Sequence, residues 1–287
     1  GIMYSDLTRS IIKAGKRSAG DSEYDNAIND LNYAIELNPN FADAYVSRGV
    51  IYSKMGYYDE AIIEFNQALK LDPELYLVYQ LRGDAFSDKG DYNNAIKDFS
   101  KLIKIAPEFA YAYLSRGTAY TEIEEYDKAI KDFTETLKIN PNFVDAYIYR
   151  GNVYRDQGMF DEAIADYTKA IELDPEFLGA YNNRGNAYRM KKEYEKAIND
   201  FEQALKIDSE EVQVYYNIAL VYKELGKKDE AINSDFASVL LKRINDGEVQ
   251  EVGKLGRGTV VAEVVVSQSQ GAVRKTDNDF DLAIDGK

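Results

Sequence analysis

The stretch VDAYIYRGNVYRDQGMFDEAIADYTKAIELDPEF, Val144 to Phe177, sets the frame for most of the chain. Residues from about Thr8 to Asn245 can be laid on it in steps of 34. All five prolines, Pro39, Pro73, Pro107, Pro141 and Pro175, are separated by that step. Arg-Gly pairs recur in one phase at Arg48-Gly49, Arg82-Gly83, Arg116-Gly117, Arg150-Gly151 and Arg184-Gly185. Ala-Ile pairs recur in another, beginning at Ala27, Ala61, Ala95, Ala129, Ala163, Ala197 and Ala231. A fixed period of this length marks a solenoid, in which stacked units bury one another's apolar faces.

One unit reads as two amphipathic helices. Tyr147, Gly151 and Tyr154 fall at i, i+4 and i+7, one face of a first helix. Gly158 breaks that helix, and Asp161-Glu162 place acid in the first turn of a second, where the helix dipole favours negative charge. Ala163, Ile164, Tyr167, Ala170 and Ile171 form its apolar stripe. Asp174-Pro175 ends it, since proline lacks the backbone donor and disfavours helix in the residue before it. Gly151, Ala163 and Ala170 are small where two helix backbones approach, and large Tyr and Phe side chains fill the space between.

The series Tyr147, Gly151, Tyr154, Ala163, Tyr167, Ala170, Pro175 resembles the tetratricopeptide repeat in phase and residue type. It also fits 42–75, 76–109, 110–143 and 178–211. Units 8–41 and 212–245 are weaker; the first keeps Gly15, Tyr24, Ala27, Ala34 and Pro39, the last Tyr215, Ala219, Tyr222, Gly226 and Ala231. The resemblance implies an all-α fold: a right-handed superhelix, or α-solenoid, of about seven helix-turn-helix repeats over residues 3–233. A short β-prone segment, 234–287, follows.

Composition agrees with a folded, charged-surface protein: 45% of the 287 residues are hydrophobic and 30% charged. No apolar run approaches membrane-spanning length, and the N-terminus lacks a signal-peptide pattern. Gly1-Ile2 ahead of Met3 reads as an added remnant, so a removed export signal stays open. Without cysteine, disulfide and thiol chemistry are absent and the redox compartment is not indicated. A net charge of −15 disfavours nucleic acid and anionic membrane as main partners. Without histidine or cysteine, the commonest general bases, soft metal ligands and thiol nucleophiles are missing. Gly253-Lys254-Leu255-Gly256-Arg257-Gly258 is glycine-rich but lacks phosphate-loop spacing. The expectation is therefore a non-enzymatic protein with no cofactor and no metal.

The recurring arginines admit two readings. A row of guanidinium groups could bind phosphate or carboxylate. But acids recur in step with them, at Asp30, Glu64, Asp98, Asp132, Asp166 and Asp200, and an internal ion-pair ladder is the favoured reading because buried arginine is normally paired. Each acid could serve the arginine of its own unit or of the next; the two registers leave Asp30 or Asp200 over. Near the N-terminus, Arg9, Lys13, Lys16 and Arg17 form a basic cluster that fits a solvated capping face better than a partner site. Some tetratricopeptide domains clamp a peptide's terminal carboxylate with Lys and Asn on the first helices. Here Ile12, Lys16 and Ser47 occupy clamp-like positions, so that arrangement is not reproduced.

The family's concave groove is lined mainly by first helices. Carried over by position, the groove candidates are Gln80, Asp84, Thr118, Asn152, Arg155, Asn182, Asn183, Asn186, Arg189, Asn217 and Lys223. Asn182, Asn183, Asn186 and Asn217 form the most informative group, because asparagine both donates and accepts and so can hold a peptide backbone of any sequence. The plainer reading is that these asparagines face water.

After Ile232 the repeat loses frame: Ala231-Ile232-Asn233-Ser234-Asp235-Phe236 carries one residue more than the corresponding text of earlier units. Ala237 to Ile244 could continue a helix, and Thr259 to Val266 is β-prone. Gln270-Gly271-Ala272-Val273, Thr276-Asp277-Asn278 and Asp281-Leu282-Ala283-Ile284-Asp285-Gly286 resemble a segment of bacterial flagellar rod and hook proteins. A segment cut at both ends and joined where a repeat loses frame reads as a fused client. The resemblance implies a peptide-binding module for a flagellar axial protein, acting as assembly factor, chaperone or scaffold in bacterial cytoplasm or periplasm. The tail would then dock in its own chain or in a neighbouring one. The competing reading is a general scaffold for a multiprotein complex, its tail unrelated to its client.

Overall fold

Each 34-residue period is cut twice, once by a tight left-handed turn and once by a proline corner, and the two cuts leave two helices. The computed structural model describes residues 21–226, and among these it contains twelve helices and no strand. The chain divides into two compact units, Gly1–Gln157 and Gly158–Lys287. The first holds α1 (Asp21–Leu37), α2 (Ala42–Lys54), α3 (Tyr58–Leu71), α4 (Leu77–Asp88), α5 (Tyr92–Ile105), α6 (Ala110–Glu122), α7 (Tyr126–Ile139) and α8 (Val144–Asp156). The second holds α9 (Phe160–Leu173), α10 (Leu178–Met190), α11 (Tyr194–Ile207) and α12 (Val212–Glu224). The all-α repeat class expected from the sequence is the observed one. Of the first expected repeat only its second helix, α1, is described, and of the last only its first helix, α12. The N-terminal basic cluster and the whole 234–287 segment lie outside the described residues.

The tight turn needs one residue at positive φ. Glycine supplies it at Gly56, Gly90, Gly158 and Gly226, as the period anticipates. In the same phase Glu124 and Lys192 adopt φ of 62°, so the backbone geometry is kept where glycine is not. The reason is the hydrogen bond that closes the turn. The Asp91 amide donates to the Phe86 carbonyl at 2.8 Å, and the Glu125 and Glu193 amides donate to Tyr120 and Tyr188 at 2.9 Å. These bonds satisfy carbonyls that a helix end would otherwise leave open. At the other cut, an Asp or Asn before the proline accepts through its side chain from the second amide beyond it, and only Ala106 lacks such an acceptor. Asp72 takes the Glu74 N–H at 2.9 Å, and Asp174 the Glu176 N–H at 3.2 Å. Tyr147 then ties the following helix to the corner, its hydroxyl donating to the Pro141 carbonyl at 3.2 Å.

The core repeats with the period. In the first unit Phe65, Phe99 and Phe133, and in the second Tyr167 and Phe201, are fully buried on second helices. Each such side chain contributes roughly 1.5–3 kcal/mol by leaving water. The ring lies directly on the first helix's glycine: a Cβ added at Gly117 would stand 2.7 Å from Phe133, and one at Gly185 2.6 Å from Phe201. Within a unit, consecutive helices pack on each other and successive first helices also touch: α2 with α4, α4 with α6, α6 with α8, and α10 with α12. First helices therefore line up side by side, and one face of each is left without a packing layer.

The arginines take the register within their own repeat. Arg82 donates through Nε and Nη2 to the two oxygens of Asp98 at 2.7 and 2.6 Å. Arg116 does the same to Asp132 at 2.7 and 2.8 Å, and Arg184 to Asp200 at 2.8 Å twice. Arg48 reaches both oxygens of Glu64. Asp30, the acid left over by this register, is exposed. The remaining Nη1 reaches back to the preceding repeat: Arg48 to Asn32, Arg116 to Ser100 at 2.9 Å, Arg150 to Thr134 at 2.9 Å and Arg184 to Thr168 at 3.0 Å. Each guanidinium also lies over the tyrosine one turn earlier, as Arg48 over Tyr45 at 5.6 Å. The bond to Asp200 raises the pKa of Arg184 against the opposing effect of burial. These arginines are internal staples between repeats.

Candidate peptide-binding face

The open face of the first helices carries the candidate residues. In the first unit, Leu77, Gln80, Asp84 and Asp88 follow one another down one side of α4 at i, i+3, i+7 and i+11. Tyr111, Ser115 and Thr118 do so on α6, and Asp145, Tyr149 and Asn152 on α8. Gln80 joins two of these rows, since its Nε2 donates to Asp84 Oδ1 at 2.9 Å and to Ser115 Oγ at 2.8 Å. Its Oε1 is out of solvent and has no donor. Tyr111 is 54% exposed, and its ring meets Phe143 edge-on at 4.9 Å. Tyr149 is 40% exposed and leans on Phe133 at 6.0 Å. Burial, then the charges of Asp145 and Tyr111, pushes the Tyr149 hydroxyl above its ordinary pKa.

Asp84 has the most perturbed carboxyl of this face. Burial pushes it up to about 7, Gln80 pulls it back, and Asp88 raises it further. Asp88 is itself raised by burial. Thr118 is exposed and turns its hydroxyl to the Leu114 carbonyl of its own helix at 3.0 Å. Arg155 is held by its neighbour Asp156 at 2.8 Å.

In the second unit the asparagines divide. Asn217 is only 4% exposed; its Nδ2 donates to Asn182 Oδ1 at 2.7 Å, and its own oxygen accepts from Gln213 at 3.3 Å. Asn186 donates to the Asn182 carbonyl at 3.1 Å. Asn182, Asn183 and Asn186 stay partly exposed on α10, with Arg189 bonded to Glu224 of α12 and Lys223 exposed. The expected row of four asparagines is thus three at the surface and one beneath it. Asn182–Asn217 and Gln80–Ser115 are the same cross-link, 35 residues apart, repeated in the two units.

Sequence reasoning missed Tyr111, Ser115, Tyr149 and Gln213. A usable signal was present: the second residue of the 34-residue unit varies as Asp43, Leu77, Tyr111, Asp145, Gly179 and Gln213, and the sixth as Ser47, Leu81, Ser115, Tyr149, Asn183 and Asn217. A position the core does not constrain is free to face a partner. Among the described residues, no group of three or more acids is placed to hold a metal ion, and no helix is long and apolar enough to cross a membrane.

Stacked two-helix repeats with an open face of first helices define an α-helical repeat scaffold. The chain belongs to the tetratricopeptide repeat family. A TPR repeat model matches residues 22–56, 83–123, 151–192 and 185–226, more than half of the chain. Further tetratricopeptide repeat models match 42–75 and 110–143. No curated protein sequence matches. Among solved structures, MamA is similar at 30% identity and a TM-score of 0.55, over 60% of this chain and 94% of that one. YrrB, described as a TPR protein with an unusual peptide-binding site, is similar at 25% identity and a TM-score of 0.54, over 65% of this chain and 96% of that one. A tetratricopeptide repeat protein from Parabacteroides merdae shares the fold at 20% identity and a TM-score of 0.62, over 85% of this chain and all of the other. Proteins of this class act as protein–protein interaction scaffolds.

Proposed function

We propose that the chain is a non-enzymatic peptide-capture module that holds an extended segment of a partner protein along the open faces of its first helices. The observation that carries this reading is the pair of exposed tyrosines, Tyr111 and Tyr149, on a face already rich in side-chain hydrogen-bonding groups. Tyrosine is enriched among the residues that anchor protein partners, where its ring fills a pocket and its hydroxyl stays hydrogen-bonded. In the second unit, Asn182, Asn183 and Asn186 offer donors and acceptors to a partner's backbone, with Asn217 holding Asn182 in place from below. The similarity to YrrB, with its peptide-binding site, supports the reading.

The first client to test is the segment resembling flagellar rod and hook proteins at 270–286, in which case the protein is an assembly factor, chaperone or scaffold of that structure. A peptide spanning 258–287 is titrated into the chain truncated after Asn233. It is titrated also into Tyr111→Ala and into the triple variant Asn182→Ala/Asn183→Ala/Asn186→Ala. Submillimolar binding, weakened several-fold in either variant, supports both the groove and the client. Binding that neither variant weakens removes these residues from the site. Absence of binding at millimolar peptide rejects the flagellar client and favours a general scaffold for another complex.

A further inference from the structure

The open face of α4, α6 and α8 displays three apolar groups, Leu77, Tyr111 and Tyr149, among three carboxylates, Asp84, Asp88 and Asp145. None of these acids has an ion pair among the described residues. Of the cations nearby in sequence, Arg82 is bonded to Asp98 and Lys89 to Asp59. In the arginine ladder, Asp98, Asp132 and Asp200 each have two guanidinium nitrogens on them. Asp84 has one neutral amide, from Gln80, and that amide is shared with Ser115.

Resting on the peptide-capture reading, we propose that this face selects an extended segment bearing a lysine or arginine beside apolar side chains. The cation would sit between Asp84 and Asp88, and its apolar neighbours on Leu77, Tyr111 and Tyr149. Charge complementarity chooses the occupant. An acidic segment would add a like charge to carboxylates that burial already disfavours, and a neutral one would desolvate them further with no return. A guest ammonium or guanidinium supplies the missing counter-ion, and the tyrosine faces add attraction for its charge. Burial raises the pKa of Asp84 even though Gln80 donates to it, the expected sign for a carboxyl with no cation beside it. Such a group costs the free protein stability, and a binding role accounts for its presence.

The test is selection of a phage-displayed library of random dodecapeptides on the full chain, followed by titration of the recovered peptides. Lys or Arg adjacent to aromatic or aliphatic residues should be enriched and Asp and Glu depleted. Asp84→Asn/Asp88→Asn should weaken these peptides about ten- to hundredfold while raising the melting temperature at neutral pH. The control Glu60→Gln/Asp127→Asn removes the same charge from exposed second-helix positions and should change affinity less than about twofold. Peptides without basic enrichment, or equal losses in both double variants, would overturn the cation site while leaving peptide capture intact. Recovery of no binding peptide would overturn both.

Discussion

At the scale of single residues, two carboxylates in similar chemical settings have opposite consequences. Asp132 is 3% exposed and receives two bonds from Arg116. Removing the guanidinium leaves a buried acid unpaired, so Arg116→Ala should cost about 1–3 kcal/mol in chemical denaturation. Peptide affinity should not change at a temperature where the variant is folded. Asp84, raised to about 7 by burial, works the other way. Its folded-state pKa lies above the ordinary carboxylate value, so the folded protein binds the extra proton. The stabilisation is complete below about pH 4 and is lost as pH rises from there through about 7. Asp84→Asn should therefore leave stability at pH 4 nearly unchanged and raise it at pH 8 by on the order of 2–4 kcal/mol. Parallel pH curves for the two proteins would show that Asp84 does not titrate in this range.

At the scale of elements, the left-handed turn between paired helices is the feature most open to adjustment. Gly90 has φ of 85°, and no atom lies within 4 Å of where a Cβ would stand, so Gly90→Ala meets backbone strain without steric contact. It should destabilise by about 1 kcal/mol. Lys192, at φ of 62°, carries the same strain already, and Lys192→Gly should be neutral or stabilising. A melting-temperature comparison of the two variants reads out this asymmetry. The glycine packed on the core ring behaves differently. Gly117→Ala would push a methyl against Phe133, and its cost of roughly 1–3 kcal/mol comes from overpacking.

At the scale of the whole molecule, the repeat is close to one-dimensional, so a repeat can be lost without loss of fold. Deleting 110–143 removes α6 and α7 but brings Ser100 into the phase of Thr134, ready to accept from Arg150 as Ser100 now accepts from Arg116. The shortened chain should keep its helicity per residue by circular dichroism and lose the binding that depends on Tyr111. Collapse of the helical signal would show that the repeats are not interchangeable.

The period alone determined the helical pairs, the proline corners and the small residues at the closest approach, because each follows from local spacing: proline ends helices and a fixed phase repeats the same contacts. It also paired the arginines with acids but left two registers open, since residues 16 and 18 apart are equally available to a chain whose hairpins have not been stacked. Packing chose the nearer one and turned the spare nitrogen to the preceding repeat. The candidate site was decided later still. Asn217 and Asn182 look equivalent as text, yet the contact between α10 and α12 puts one beneath the other. Tyr111 and Tyr149 resemble core tyrosines until the neighbouring first helices leave them uncovered. Exposure belongs to the space between elements, and only the tertiary structure defines that space.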